Sequence, residues 1–221
     1  INVDHNYPQI YYNLSSLASN INESETMIDK CLDIDDSFLK AKFMKSAFQI
    51  YRGNDNYYKN FTKSKYKNHE FIQSLSWILD LPKLPKLYFN KWQFFDAVVK
   101  ETLLKRPFYE FGVWMGTSFK YLKNYYKKGY GFDTFTGLPE AWDLGNSMEK
   151  IGTYSSNGKV PSVEDSELIV GKFEDTLPIF FRTKKPKASL INIDCDLYSS
   201  TICALNFSKP IIDEETIIIF D

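Results

Sequence analysis

Between Pro107 and Glu140 the chain reads PFYEFGVWMGTSFKYLKNYYKKGYGFDTFTGLPE, and no other stretch limits its fold as much. Pro107–Val113 has the length and aromatic content of a buried strand. Gly112 and Gly116 bracket a turn where missing side chains let a ligand approach the backbone. Thr117 or Ser118 is placed to cap a following helix, whose Phe119, Leu122 and Tyr126 fall at helical spacing. A second strand, Tyr130–Phe135, follows Gly129 and carries Asp133 near its end. Strand, glycine turn, helix, strand and acid make the plan of a site for a nucleoside-bearing cofactor. The turn admits the polar tail, and the acid accepts from the ribose hydroxyls.

The glycines decide which cofactor class this plan favours. G-x-G-x-x-G is absent: the glycines stand four apart, preceded by Glu110. A wide turn without a pyrophosphate cradle, beside an acid, suits a cationic amino-acid tail, which points to S-adenosylmethionine over NAD. An NAD-linked sugar reductase is further disfavoured because no Tyr-x-x-x-Lys pair stands in a suitable place.

The rest of the chain divides in character near residue 86. Residues 1–86 are rich in Asn, Lys, Ser and Tyr, with apolar residues at helical spacing, and read as a helical extension ending at Pro82 and Pro85. Phe38, Phe43, Ala47 and Ile50 mark one apolar face, and Phe71, Leu75, Ile78 and Leu79 another. His5 and His69 stand alone and receive no role. Residues 87–221 read as an α/β domain. Asn90–Lys105 is a helix with Phe94, Val98 and Leu103 inward, and a long loop rich in glycine (Gly145, Gly152, Gly158) runs to Pro161. Ser162–Ser166 opens a short helix, Glu167–Phe173 is a third strand, and Asp175–Phe181 is a short helix or turn. Ser189–Leu197 is a fourth strand, Ser199–Pro210 a helix and Thr216–Asp221 a fifth strand. Such alternation implies a Rossmann-like, doubly wound, mainly parallel sheet.

In a parallel sheet the strand ends share one rim, which gathers Asp194, Asp196 and Asp221. Neighbouring strands lie about 4.8 Å apart, so Asp194 and Asp221 can share one cation. Asp196 follows Asp194 by two residues and faces the same way if the strand persists that far. Gathered carboxylates raise one another's pKa unless a cation relieves them. Hard oxygens favour Mg²⁺ or Ca²⁺. Cys195, between two of them, has no histidine to activate it and reads as a packing residue.

With a net charge of −1, the chain gives no reason to expect nucleic acid or an acidic membrane as partner. Cys31, Cys195 and Cys203 have neither metal-like nor disulfide-like spacing, so the default compartment is a reducing cytoplasm. No apolar run reaches the roughly twenty residues of a membrane span.

From about Asn90 to Asp221 the chain resembles class I S-adenosylmethionine-dependent methyltransferases, and among them the macrocin O-methyltransferase family of sugar and glycoside methyltransferases. The resemblance rests on YEFGVWMGTS, GFDTFTGLPEAW, GKFEDTLP, IDCDLYSST and IIIFD, in that order. It implies that Glu110, Gly112, Gly116 and Ser118 form the cofactor loop, with Asp133 on the ribose and Phe173 of GKFEDTLP beside the cofactor. It also implies Mg²⁺ on Asp194 and Asp221, with Asp196 as general base. The expected activity is Mg²⁺-assisted O-methylation of a hydroxyl on a sugar, glycoside or similar small polyol, and a homo-oligomer is compatible with it. The alternatives are a catechol-type O-methyltransferase and a non-catalytic, methyltransferase-like assembly domain. Two departures stand out. Cys195 replaces the family's usual Gly, and a second acid expected after Asp221 lies past the last residue. The family's closing helix and terminal β-hairpin are missing too. Ending at Asp221 would leave Ile217–Phe220 as a bare sheet edge, hence the expectation that the natural protein continues.

Overall fold

The computed structural model describes residues 7–144 and 147–221, so His5 and Gly145 lie outside the described residues. The chain divides into two compact units, 1–94 and 95–221, with the division inside a helix, Lys91–Lys100.

The first unit is helical: α1 Pro8–Ser15, α2 Ile21–Ile34, α3 Leu39–Tyr51, α4 Asn56–Thr62 and α5 Glu70–Asp80. Its aromatic stripe is core. Phe43, Ala47, Ile50, Phe61, Ile72 and Leu75 form one cluster, and Ile28, Cys31, Ala41 and Phe48 a second that receives Phe38. On α5 the buried pair is Ile72 and Leu75, while Leu79 faces solvent, so the inward face is turned from the one expected. His69 caps α5, its Nδ1 accepting from the Phe71 amide at 3.2 Å.

The second unit begins within α6, Lys91–Lys100. Asn90 caps this helix, its Oδ1 accepting from Trp92 N at 2.9 Å. The helix stops earlier than expected and buries Phe95 and Val99, one position on from Phe94 and Val98; Leu103 is exposed. Then come β1 Phe108–Phe111, α7 Thr117–Lys123, β2 Gly129–Asp133, the short antiparallel pair β3 Trp142–Asp143 and β4 Met148–Glu149, β5 Ser166–Val170, α8 Phe173–Phe180, β6 Leu190–Ile193, α9 Tyr198–Ser208 and β7 Ile217–Phe220. Residues 161–165 form no helix and turn directly into β5, which corrects the reading of Ser162–Ser166.

The main sheet is five-stranded and parallel, ordered β5-β2-β1-β6-β7. Alternation sends Tyr109, Phe111, Phe132, Ile191 and Ile193 to one face, where they pack with Phe173, Leu177 and Phe180 of α8 and Ala204 of α9. The other face carries Phe108, whose ring lies 4.8 Å from that of Phe119 on α7. Helices on both faces of a parallel sheet make an α/β architecture compatible with a Rossmann-like fold. From the central β1, the chain proceeds through β2 to β5 on one side; β6 and β7 lie on the other. Strand order therefore reverses between β1 and β6, the kind of switch point at whose carboxyl ends open α/β sheets bind ligands.

Candidate active site at the carboxyl rim

Register assembles this rim. The last paired row is Phe132, Phe111, Ile193 and Phe220. The ladder continues one residue beyond it, since Gly112 N donates to Phe132 O, Asp194 N to Phe111 O and Asp221 N to Ile193 O, at 2.8–3.1 Å. The next row is thus Asp133, Gly112, Asp194 and Asp221. By parity it belongs to the same face as Glu110 and Asn192, the α7 face. Two strands of the centre contribute buried polar groups to that face: Glu110 is fully buried and Asn192 is 1% exposed.

Gly112 has φ +91°, and a Cβ there would stand 1.8 Å from the Asp194 carbonyl oxygen. Any other residue would drive the β1 exit off the β6 exit. Gly116 has φ +77° and caps α7, and a Cβ would lie 2.9 Å from Pro161 Cγ. The room left by both glycines is filled by the protein's own chain. The cap also differs from expectation: neither Thr117 nor Ser118 caps α7. Ser118 Oγ instead donates to Glu110 Oε1 at 2.7 Å, a buried bond from helix to strand.

Asp133 organises the turn. Its Oδ2 accepts from the amides of Val113 and Trp114, each at 2.7 Å, and Oδ1 from Phe135 N at 2.6 Å. Oδ2 thereby uses both of its lone pairs, and Oδ1 keeps one for a ligand hydroxyl. Gly116 N is likewise satisfied, by Val113 O at 2.8 Å. With these amides engaged, the turn makes a poor cradle for phosphate.

Asp196 is not on a strand. β6 ends at Ile193, so the condition for Asp194 and Asp196 to share a face by alternation is not met. The chain turns sharply instead: Asp196 has φ +59°, and Leu197 N donates to Cys195 O at 2.6 Å, the closure of a γ-turn. This turn still brings Asp196 back among the acids. Burial, then the charges of Asp221 and Asp133, raise its carboxyl above the ordinary value. Burial, with Asp196 and Asp194 nearby, pushes the Cys195 thiol up to about 11 despite a 3.4 Å contact with Thr201 Oγ1. Cys195 is therefore a protonated packing group.

Of the residues singled out in the sequence, Glu110, Gly112, Gly116, Ser118, Asp133, Asp194, Asp196 and Asp221 meet at this rim. Phe173 does not join them: it is 8% exposed and packs edge-on against Phe111 at 5.7 Å, within the core of the opposite face. Two further residues hold the rim together. Glu140 Oε1 accepts from Ser199 Oγ at 2.5 Å, tying the loop after β2 to the first turn of α9. Sequence offered one clue, their presence in the GLPE and DLYSS strings.

Asp194 and Asp221 offer only hard carboxylate oxygen, a donor set that fits Mg²⁺. Among the described residues no group of three or more His, Cys, Asp or Glu is arranged to hold a metal ion. No helix of the described residues is long and apolar enough to cross a membrane. No protein-family model, curated protein or solved structure matches the chain.

Proposed function

We propose that the second unit is an S-adenosylmethionine-dependent, Mg²⁺-assisted O-methyltransferase acting on a hydroxyl of a sugar, glycoside or similar small polyol. One observation carries this reading: carboxylates crowd the switch point while the turn's amides are already used. Such a site repels phosphate and attracts a cationic ligand. The five strings that resemble the macrocin O-methyltransferase family also end on, or run out from, the carboxyl ends of β1, β2, β5, β6 and β7.

S-adenosylmethionine, if bound, would supply a sulfonium methyl whose carbon an oxygen nucleophile attacks while the carbon–sulfur bond breaks and S-adenosylhomocysteine leaves as the neutral thioether. Asp194 and Asp221 would hold Mg²⁺, whose chemistry there would be to favour the ionised form of the acceptor hydroxyl. The chain's own work is the remainder. Asp133 fixes the turn and offers the one remaining lone pair of Oδ1 to a ribose hydroxyl. Asp196 accepts the acceptor's hydroxyl proton as the carbon–oxygen bond forms, a role that requires its ionised form. Holding both reactants at the switch point supplies the orientation term.

The test uses the chain as it stands. Calorimetry with S-adenosylhomocysteine should give saturable binding, and methyl transfer to glycosides should require Mg²⁺. Asp194→Asn should weaken the response to Mg²⁺ and regain part of its rate in excess metal. No binding of S-adenosylhomocysteine, or transfer that survives exhaustive chelation, rejects the reading or its metal.

A further inference from the structure

Beside the carboxylates stands an aromatic corner with no role so far. Trp114 follows the β1 turn, and Tyr154 belongs to the long loop after β4. Their ring centroids lie 6.2 Å apart with planes at 78°. Two sets of bonds fix them there. Trp114 N is held by Asp133, and the loop around Tyr154 is stitched to the β2 exit by Leu138 N→Thr153 O and Gly152 N→Leu138 O at 2.9–3.0 Å.

Both residues have left-handed backbone, φ +49° at Trp114 and +62° at Tyr154, which is costly for bulky side chains. Phe135 shares that conformation at φ +58°, but it is fully buried and its packing accounts for the cost. Trp114 and Tyr154 are 44% and 45% exposed, with Met115 beside Trp114 at 55%. Packing does not explain them. Strain retained at an exposed position points to a task at the surface. Tyr154 also feels the acids: after burial, the charges of Glu149 and Asp196 raise its phenol.

We infer that Trp114 and Tyr154 form the acceptor subsite and bind the C–H face of a saturated, hydroxylated ring, a pyranoside. Such a ring carries apolar C–H bonds on its faces and hydroxyls around its edge. The corner matches the first, and the carboxylate of Asp196 accepts from the second. A planar catechol would be held best between parallel walls, whereas rings at 78° give it one wall and an edge. The inference rests on the methyltransferase reading for what happens to the bound hydroxyl, but binding can be measured without it.

The experiment is saturation-transfer NMR on the full chain, with methyl glycopyranosides of several configurations, catechol and S-adenosylhomocysteine as separate probes. Ring C–H protons of at least one pyranoside should receive saturation, more strongly than catechol. Trp114→Asn and Tyr154→Asn should each weaken that binding roughly three- to tenfold. Asn tolerates left-handed backbone, so both variants should fold; circular dichroism checks this, and Tyr154→Phe should retain most of the binding. Affinity for S-adenosylhomocysteine should stay within about twofold of wild type in Tyr154→Asn, which lies outside the cofactor turn. Pyranoside binding without S-adenosylhomocysteine binding keeps the subsite and rejects the methyltransferase reading. The subsite itself is overturned if no pyranoside binds, if catechol is preferred, or if Tyr154→Asn loses S-adenosylhomocysteine instead.

Discussion

The two rims of the sheet use the same residue type for opposite purposes. At the amino rim Arg106 Nη1 donates to both oxygens of Asp213, at 2.8 and 3.0 Å, linking the entries of β1 and β7. That bond holds the Asp213 carboxyl below its usual range. At the carboxyl rim, burial and neighbouring acids hold Asp196 above it. Backbone geometry divides in the same way. Exits from β1, β2, β5 and β6 pass through left-handed residues, Gly112 and Trp114, Phe135, Gly171 and Asp196. Among the described residues, only Asp165 has that conformation at a strand entry. One rim resolves its charges and relaxes its chain; the other concentrates both kinds of tension. In an open α/β sheet the second is where a ligand belongs.

The largest expected difference between the rims is in rate. Asp196→Asn keeps size and left-handed tolerance but removes the proton-accepting charge, and should slow methyl transfer about 10²–10⁴-fold. Affinity for S-adenosylhomocysteine should change little, and added Mg²⁺ should not restore the rate. Asp213→Asn should leave the rate within about twofold, a change of well under 1 kcal/mol. Steady-state kinetics of both variants across a Mg²⁺ titration decides this. Equal losses would erase the functional distinction between the rims, and metal rescue of Asp196→Asn would make Asp196 a ligand.

Much of this contrast was legible in the chain, for local reasons. The apolar run at β1, the glycines after it and the acids ending three later strands are carried by adjacent residues. What could not be read was tertiary. Ser118 fits the composition of a helix cap, but the buried Glu110, eight residues earlier, takes its hydroxyl. The γ-turn at Asp196 depends on where β6 stops pairing, which its neighbours set. Trp114 and Tyr154 are forty positions apart, and only the stitched loop after β4 brings them together. Ser162–Ser166 shows the reverse error: a helix start is expected there, but residues 162–165 form no helix and Ser166 pairs with Gly129 as the first residue of β5.

The next effect in size concerns Asp133, where structure sharpens the sequence reading. As a ribose acceptor alone, its loss would weaken cofactor binding and leave the fold intact. It also holds three backbone amides, so Asp133→Ala leaves those donors without their acceptor. The expected cost is about 1.5–3 kcal/mol of stability, or roughly 3–12 °C in Tm. S-adenosylhomocysteine affinity should fall roughly ten- to hundredfold with it. Asp133→Asn, which retains one carbonyl oxygen, should lie between. Thermal unfolding and calorimetry on the same samples separate the roles. A loss of affinity at unchanged Tm would mean that the ribose, and not the turn, is what Asp133 serves.

The smallest effect tests the two rims by their sign. Asp213 has a lowered pKa in the folded protein, so its contribution to stability is present above the unfolded value of about 3.9 and is lost as pH falls through the folded one. Asp196 has a raised pKa, so the folded state holds its proton more tightly than the unfolded chain does. Stability must then decline as pH rises from about 3.9 through the folded value, and remain lower above it. Asp213→Asn should therefore lower Tm at pH 8, while Asp196→Asn should raise it. Asp196 is partly exposed to solvent, and screening holds its gain to less than about 1 kcal/mol, at most about 2–4 °C. Towards pH 4 the Asp196 difference should shrink as the wild-type carboxyl takes up its proton, while the Asp213 difference persists and is lost only below about 3.9. Urea midpoints between pH 4 and 8, at fixed ionic strength, give the comparison with least interference from heating. A fall in stability for Asp196→Asn at pH 8 would show that its charge is already compensated at the carboxyl rim, and the two rims would then differ in geometry alone.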